Sequence, residues 1–181
     1  MSFHRIKNVR IEAISTVCGG HVESVDNLSF LTKDPEKLKN LKEKVGLSQI
    51  HMAGSGVTAV DLCEEATKNI FANEDIDLST IKGLIFVTQT PDYFLPSNAA
   101  LIHGKFNLDN SCASFDINQG CAGYVYGLWL AQLILQNSHN GDRVLLLTGD
   151  TMTKALSEDD PSTKPLFGDS GTATLLIADN K

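Results

Sequence analysis

The segment Ser114-Phe115-Asp116-Ile117-Asn118-Gln119-Gly120-Cys121-Ala122-Gly123-Tyr124 joins two different patterns of residues through a single glycine. Residues 114–118 alternate between polar and apolar side chains, which is typical of a short strand. Residues 122–135 are apolar on nearly every helical face and predict a helix buried on all sides. Gly120 and Cys121 fall between the two patterns. The sequence therefore predicts a strand that turns sharply into a buried helix, with Cys121 at the turn.

This position gives Cys121 a setting suited to nucleophilic chemistry. A residue at such a turn lies at the carboxyl edge of the sheet, over the positive end of the helix dipole and its unpaired N–H groups. A thiol there loses its proton more readily, and the thiolate is the nucleophile. The free backbone N–H at the same turn can bind an oxyanion. The alternative is a small buried thiol where strand and helix cross tightly, and the local pattern leaves both interpretations open.

The composition is ordinary for a soluble globular domain. The chain has 181 residues, of which 42% are hydrophobic and 20% charged, enough for one domain with a substantial core. A net charge of −7 without a Lys/Arg stripe argues against nucleic-acid binding. The apolar runs are too short to span a bilayer, and the amino end does not resemble a signal peptide. We therefore expect a cytoplasmic protein that binds neither nucleic acid nor membranes.

The cysteines do not have the spacing of a metal site. The chain contains four, and none is part of a C-x-x-C pair: Cys18, Cys63, Cys112 and Cys121. In a reducing compartment we expect free thiols, with no metal site. Cys63 falls inside a predicted helix and is interpreted as a small core residue.

Strand and helix patterns alternate along the rest of the chain. The predicted strands lie within 3–17 and at 83–88, 114–118, 143–148 and 172–177, and the predicted helices lie at about 34–46, 58–72, 98–105 and 122–135. Residues 167–171 are predicted to form a tight turn. Asp34 and Ser97 are suitable N-caps for the helices that follow them. This alternation predicts a single α/β domain with a mostly parallel central sheet.

A glycine-rich segment, Ala53-Gly54-Ser55-Gly56, precedes the helix that begins near residue 58. Such a loop can bind a phosphate at a helix N-terminus. It lacks the Lys-Ser/Thr of a P-loop and follows no clear strand, so a purely structural loop is the favoured interpretation.

A base for Cys121 is not evident from the sequence. Nucleophilic cysteines usually need a base and an orienting partner. The chain has five histidines, none of them in an evident catalytic position: His4, His21, His51, His103 and His139. Either Cys121 acts without them, or its base lies elsewhere.

Four segments, in this order, resemble the signature of the 3-oxoacyl-(acyl-carrier-protein) synthase III family. They are Thr90-Pro91-Asp92-Tyr93 continuing to Ala99, the opening segment 114–124, Leu147-Thr148-Gly149-Asp150, and Phe167-Gly168-Asp169-Ser170-Gly171-Thr172-Ala173. The resemblance covers almost the whole chain, more loosely in its first third.

The resemblance implies a thiolase-like fold, in which two similar α/β halves pack together and the protein is usually a homodimer. Residues 1–181 resemble only the amino-terminal half. Cys121 matches the acyl-accepting nucleophile of the family. The resemblance implies that the catalytic His and Asn, and the second N–H of the oxyanion hole, belong to the carboxyl-terminal half, absent from this chain. Leu95 matches a residue that reaches across the dimer into the acyl tunnel of the partner.

The implied reaction is the decarboxylative condensation of an acyl thioester with malonyl-acyl-carrier-protein in fatty acid biosynthesis, without a cofactor. Acyl-CoA and acyl carrier protein are the implied partners. Asn40 stands where the family often has a tryptophan, and Lys44-Val45-Gly46 where it has Arg-Thr-Gly. Lys164 keeps a basic residue where the family often has an arginine near the nucleotide. The resemblance thus implies Lys44 and Lys164 as substrate-binding residues, and the donor is either an unusual acyl-CoA or an acyl-carrier protein.

Two alternatives remain open at this stage. The first alternative to the condensing enzyme is a related thiolase-fold acyltransferase of secondary metabolism. The second is a non-catalytic partner subunit or fragment. Because the catalytic His and Asn lie outside it, the chain alone is predicted to be inactive.

Overall fold

The computed structural model describes residues 7–28, 34–157 and 160–179, so residues 3–6 of the predicted first strand lie outside the described part. The described strands are β1 (Val9–Cys18), β2 (His21–Ser24), β3 (Gln49–Met52), β4 (Ile81–Val87), β5 (Ala113–Ile117), β6 (Arg143–Thr151) and β7 (Asp169–Ala178). The described α-helices are α1 (Pro35–Asn40), α2 (Ala59–Asn73), α3 (Asn98–Lys105) and α4 (Gly123–Leu135).

The central sheet has five strands in the order β1-β7-β6-β4-β5, and β2 pairs with β3 in a separate two-stranded sheet. Strand β4 is parallel to both β5 and β6, whereas β7 is antiparallel to both β6 and β1. Only β7 therefore runs against the other four strands. The predicted α/β class and mostly parallel central sheet are confirmed.

Helices cover the central sheet on both faces, because β4 and β6 are apolar on both sides. One face packs with α2 and α3, through Leu84, Phe86, Leu145 and Leu147. The opposite face packs with α4, through Ile85, Val87, Val144 and Leu146. Strands buried on both faces read as continuous apolar runs, which is why these two strands were predictable.

The helix starts follow the capping residues in the sequence. The Thr58 side chain and the carboxylate of Asp61 form a capping box at α2, and the Ser97 hydroxyl accepts a hydrogen bond from the first turn of α3. Asp34 caps α1, whose chain continues as a π-helical turn, Leu41–Val45, and ends at Gly46 with φ of 79°. The predicted N-caps are confirmed.

Helix α4 is not buried on all sides, and this prediction is wrong. Its buried residues are spaced four apart, at Gly123, Gly127, Ala131 and Leu135. Val125 and Tyr126 are 67% and 46% exposed. Only the side of α4 that faces β4 and β6 is covered by the described residues.

Two further local predictions are corrected. The glycine-rich segment does follow a strand, because β3 ends at Met52. Residues 169–171 belong to β7 rather than to a tight turn. Gly171 is required there by the close approach of α2, since a Cβ at this position would lie 2.5 Å from the carbonyl carbon of Leu62.

Candidate active site

Cys121 lies where β5 gives way to α4, as the sequence predicted. Strand β5 ends at Ile117, a 3-10 turn covers Gly120–Ala122, and α4 begins at Gly123. Gly120 has φ of +51°, a left-handed conformation that glycine adopts without strain. The chain can therefore turn from strand to helix within the five residues that separate Ile117 from Gly123.

Small residues bring the start of α4 against the sheet. A Cβ at Gly123 would lie 2.3 Å from Cγ1 of Val87, and one at Gly127 would lie 2.6 Å from Cδ1 of Leu146. A side chain at either position would force Val87 or Leu146 to shift, so both glycines allow α4 to pack closely on the sheet. This contact fixes Cys121 beside the carboxyl end of β4.

The Cys121 thiol is exposed, and the backbone around it leaves one donor free. The N–H of Ala122 donates to the carbonyl of Gln119 at 3.2 Å, and that of Gly123 donates to the carbonyl of Gly120. Among the described residues, nothing accepts a hydrogen bond from the N–H of Cys121. An exposed thiol and a free backbone N–H therefore belong to the same residue, which is the pair of groups that a nucleophile with an oxyanion donor would need.

The other cysteines differ from Cys121 in their surroundings. Cys63 and Cys112 are buried, whereas Cys18 is exposed at the end of β1. Burial raises the pKa of the Cys63 thiol far above its ordinary value and that of Cys112 to about 11. Both thiols therefore remain protonated and unreactive near neutral pH. The interpretation of Cys63 as a core residue is confirmed.

The loop between β4 and α3 is anchored at both ends by carboxylates. At its start, Oδ1 of Asp150 accepts hydrogen bonds from Thr88 Oγ1 (2.9 Å), Gln89 N (2.7 Å), Thr90 N (3.0 Å) and Thr90 Oγ1 (3.0 Å). At its end, Asp116 of β5 accepts from the N–H groups of Asn98 and Ala99, each at 2.8 Å. Asp150 extends from β6, and Asp116 extends from β5, the strand that leads to Cys121.

Between these anchors the loop presents an apolar tip. Tyr93, Phe94 and Leu95 are 60%, 99% and 85% exposed. Leu95, which the resemblance assigns to a partner's acyl tunnel, therefore extends away from its own chain. That role stays a prediction.

The two predicted substrate-binding lysines are not joined to Cys121 by contacts among the described residues. Lys44 is exposed on the π-helical turn after α1. Lys164 is only 9% exposed, in a 3-10 turn over Lys164–Leu166. Their roles remain predictions.

The histidines of the described part have other partners than Cys121. His51 Nδ1 lies 3.1 Å from the carbonyl of Gly19, and His103 Nε2 lies 3.1 Å from that of Asp109. Within residues 7–28, 34–157 and 160–179, no histidine is hydrogen-bonded to Cys121. His4 lies outside the described residues.

In the part of the chain that the structure describes, no helix is both long enough and apolar enough to cross a bilayer.

Comparison with known proteins agrees with this geometry. The family described as 3-oxoacyl-[acyl-carrier-protein] synthase III matches residues 115–181. A provisionally named 3-oxoacyl-[acyl-carrier-protein] synthase 3 of Campylobacter jejuni is 32% identical over 174 residues, which are 95% of this chain and 49% of that protein. The beta-ketoacyl-[acyl-carrier-protein] synthase III of Latilactobacillus sakei is 38% identical over 116 residues, 64% of this chain and 35% of that protein.

Solved structures show the same relationship. The 3-oxoacyl-(acyl-carrier protein) synthase of Burkholderia xenovorans superimposes with a TM-score of 0.88 at 33% identity, covering 97% of this chain and 50% of that one. Xanthomonas campestris OleA superimposes with a TM-score of 0.79 at 20% identity, a likeness of fold alone. The chain thus spans about half the length of the proteins it matches.

These superpositions, together with the mixed, mostly parallel sheet, place the chain in the class of thiolase-fold proteins. Within that class, the chain is similar to the 3-oxoacyl-[acyl-carrier-protein] synthase III family, the resemblance that its four sequence segments predict.

Proposed function

We propose that the protein containing this chain is a 3-oxoacyl-acyl-carrier-protein synthase III that carries its acyl group on Cys121. The exposed Cys121 thiol, with its own N–H free beside it, is the observation that supports this proposal. The family matches supply the substrate class.

The proposed reaction has two half-reactions. The sulfur of Cys121 attacks the thioester carbonyl of the donor, an S–C bond forms, and the donor thiol leaves with the proton of the cysteine. Malonyl-acyl-carrier-protein then loses CO₂, and its carbanion attacks the acyl-enzyme. A C–C bond forms, the S–C bond to Cys121 breaks, and the 3-oxoacyl product leaves on acyl carrier protein, while the released Cys121 thiolate takes a proton from water. The N–H of Cys121 stabilises the oxyanion in both attacks.

Residues 1–181 form the amino-terminal, nucleophile-bearing half in this proposal, and the catalytic His and Asn belong to a second α/β half. The uncovered side of α4, with Val125 and Tyr126, offers that half an apolar surface. In the proposed cytoplasmic homodimer, the exposed Leu95 enters the acyl tunnel of the partner. Lys44 and Lys164 are assigned to the donor, which is an acyl-CoA or an acyl-carrier protein.

The test is a product assay on the complete protein with acyl-CoA and malonyl-acyl-carrier-protein. We expect wild-type protein and Cys18→Ala to release CO₂ and form the 3-oxoacyl product, and Cys121→Ala to form none. Cys18→Ala is the matched control because its thiol is the other exposed one among the described residues. Activity retained by Cys121→Ala contradicts the proposal. An ester or other acyl product without CO₂ release favours an acyltransferase of secondary metabolism instead.

A further inference from the structure

Gln89 lies beside the Cys121 turn, although it is distant in sequence. It follows β4, and its side chain is the nearest group to the open side of Gly120. A methyl group added at Gly120 would lie 3.4 Å from Nε2 of Gln89 and 3.7 Å from its Oε1. Gly120 immediately precedes Cys121, so the Gln89 carboxamide borders the nucleophile's own turn.

The Gln89 carboxamide is available for a ligand. Gln89 is exposed, and within the described residues its side chain makes no hydrogen bond. The N–H and the thiol of Cys121 are likewise without partners there. Three polar groups able to contact one small substrate group are therefore gathered at one turn.

The backbone of Gln89 is held in place even though its side chain is free. Its N–H donates to Oδ1 of Asp150 at 2.7 Å, and the same oxygen accepts from Thr88 and Thr90 on either side. The fixed backbone limits where the carboxamide can reach, and the side-chain χ angles of Gln89 are ordered when it binds. Asp150 is in this respect a positioning residue.

We propose that Gln89 is a further substrate-contacting residue of the site, donating a hydrogen bond from Nε2 to the carbonyl oxygen of the thioester attacked by Cys121. This inference rests on the proposed function. As the S–C bond forms, the π electron pair of the carbonyl moves onto oxygen, and the carboxamide supplies a donor additional to the N–H of Cys121 and to the N–H that the resemblance assigns to the second half. When the tetrahedral intermediate collapses, the donor thiolate leaves and the carbonyl is restored on the acyl-enzyme.

The experiment measures the rate of acyl-enzyme formation by intact-protein mass spectrometry, with the complete protein and acyl-CoA alone. Gln89→Ala is expected to reduce this rate about 100- to 1,000-fold, the usual order for loss of one oxyanion donor. Its thermal midpoint is expected to match wild type because the side chain is exposed. Gln49→Ala, which removes an exposed glutamine from the separate two-stranded sheet, is the matched control and keeps the wild-type rate.

Gln89→Glu separates hydrogen-bond donation from packing. It keeps the shape of the side chain but replaces the donor with a carboxylate at neutral pH. We expect a rate at least as low as that of Gln89→Ala near pH 7. Relative to wild type, the rate should recover as the pH falls toward the carboxyl pKa of about 4.3, where the protonated acid donates again. A side chain that only fills space would show no such pH dependence.

The outcomes distinguish the two proposals. If Gln89→Ala is acylated at the wild-type rate while Cys121→Ala is not acylated, Gln89 makes no substrate contact and the proposed function stands. If the Gln89→Glu deficit does not vary with pH, the assignment of Gln89 as a donor is overturned. If wild-type protein forms no acyl-enzyme, the proposed function and this inference fail together.

Discussion

One oxygen of Asp150 collects four hydrogen bonds from Thr88, Gln89 and Thr90. A hydrogen bond to a charged group contributes about 1.5–3 kcal/mol to the stability of the folded state. Removing the acceptor also leaves its donors without a partner, which adds a desolvation cost. We expect Asp150→Ala to lower the free energy of unfolding by about 3 kcal/mol or more. Urea unfolding measures this directly.

Asp75→Ala is the control for that prediction, because Asp75 is exposed and makes no contact among the described residues. It is expected to change the free energy of unfolding by less than about 0.5 kcal/mol. Equal effects from the two variants would show that the loop after β4 does not depend on Asp150.

At this scale the sequence indicates Cys121 but not the groups around it. The Cys121 turn is local, so its strand, glycine and helix can be read from consecutive residues. Gln89 and Asp150 are 61 positions apart, and their contact arises only because β4 and β6 are neighbours in the sheet. An acidic residue at the end of an apolar strand is the one signal that indicates such an anchor.

Helix α2 packs on β7 through a contact that admits no side chain at Gly171. A Cβ there would lie 2.5 Å from the backbone nitrogen of Cys63. Because backbone atoms cannot move aside, we expect Gly171→Ala to lower the free energy of unfolding by about 3 kcal/mol, or to prevent folding. Chemical denaturation, with soluble expression as a second readout, tests this.

Gly104→Ala provides the matched comparison. Gly104 lies in α3, and an added Cβ would meet nothing within 4 Å. Alanine is a better helix former, so this variant should gain about 0.5–1 kcal/mol. A similar loss in both variants would argue against close packing of α2 as the cause.

Helices α2 and α3 are also joined by charges. Nζ of Lys105 lies 2.5 Å from Oε2 of Glu64, and Nζ of Lys68 lies 2.8 Å from Oε1 of Glu64. Burial alone would raise the pKa of Glu64, but hydrogen bonds with Lys105 and Lys68 outweigh it and hold the pKa below its ordinary value. A lowered pKa in the folded state adds stability above the unfolded-state value and loses it as the pH falls through the folded-state value.

We therefore expect Glu64→Gln to be less stable than wild type by about 0.5–1 kcal/mol at pH 7, since these ion pairs are partly exposed. The difference should disappear as the pH falls through the lowered folded-state pKa of Glu64, where the wild-type carboxyl becomes protonated. Urea unfolding across this pH range tests the sign. Glu74→Gln, at an exposed position without a side-chain partner among the described residues, should show no such trend. A deficit that grows as the pH falls would contradict the account.

Strands and helices could be predicted from the sequence where a single local cause, such as burial on both faces or an N-cap, determined them. Strands β4 and β6 are apolar throughout because both faces are covered, and α3 begins where Ser97 caps it. Strands β2 and β3 have four residues each, too few for a periodic signal. The start of β7 resembles a turn because packing against α2 requires Gly171 within the strand.

For the whole molecule, the open side of α4 is the most informative surface. A helix apolar all round is buried all round in a complete protein, yet Val125 is 67% exposed here. If a second half covers it, Val125→Lys in the complete protein should cost about 2 kcal/mol or more through a buried, unpaired charge.

Val45→Lys is the comparison, because Val45 is 62% exposed at the end of the turn after α1. We expect this variant to stay within about 0.5 kcal/mol of wild type in urea unfolding. Equal stability of the two variants would show that α4 stays uncovered in the complete protein, contrary to the proposed two-half arrangement.

The central claim is that the sulfur at the β5–α4 turn carries the acyl group. The direct measurement is peptide mass spectrometry of the complete protein after incubation with acyl-CoA in the absence of malonyl thioester. The account predicts one acyl adduct, on the peptide that contains Cys121, and none in Cys121→Ala. An adduct on Cys18, or an adduct that persists in Cys121→Ala, would contradict it.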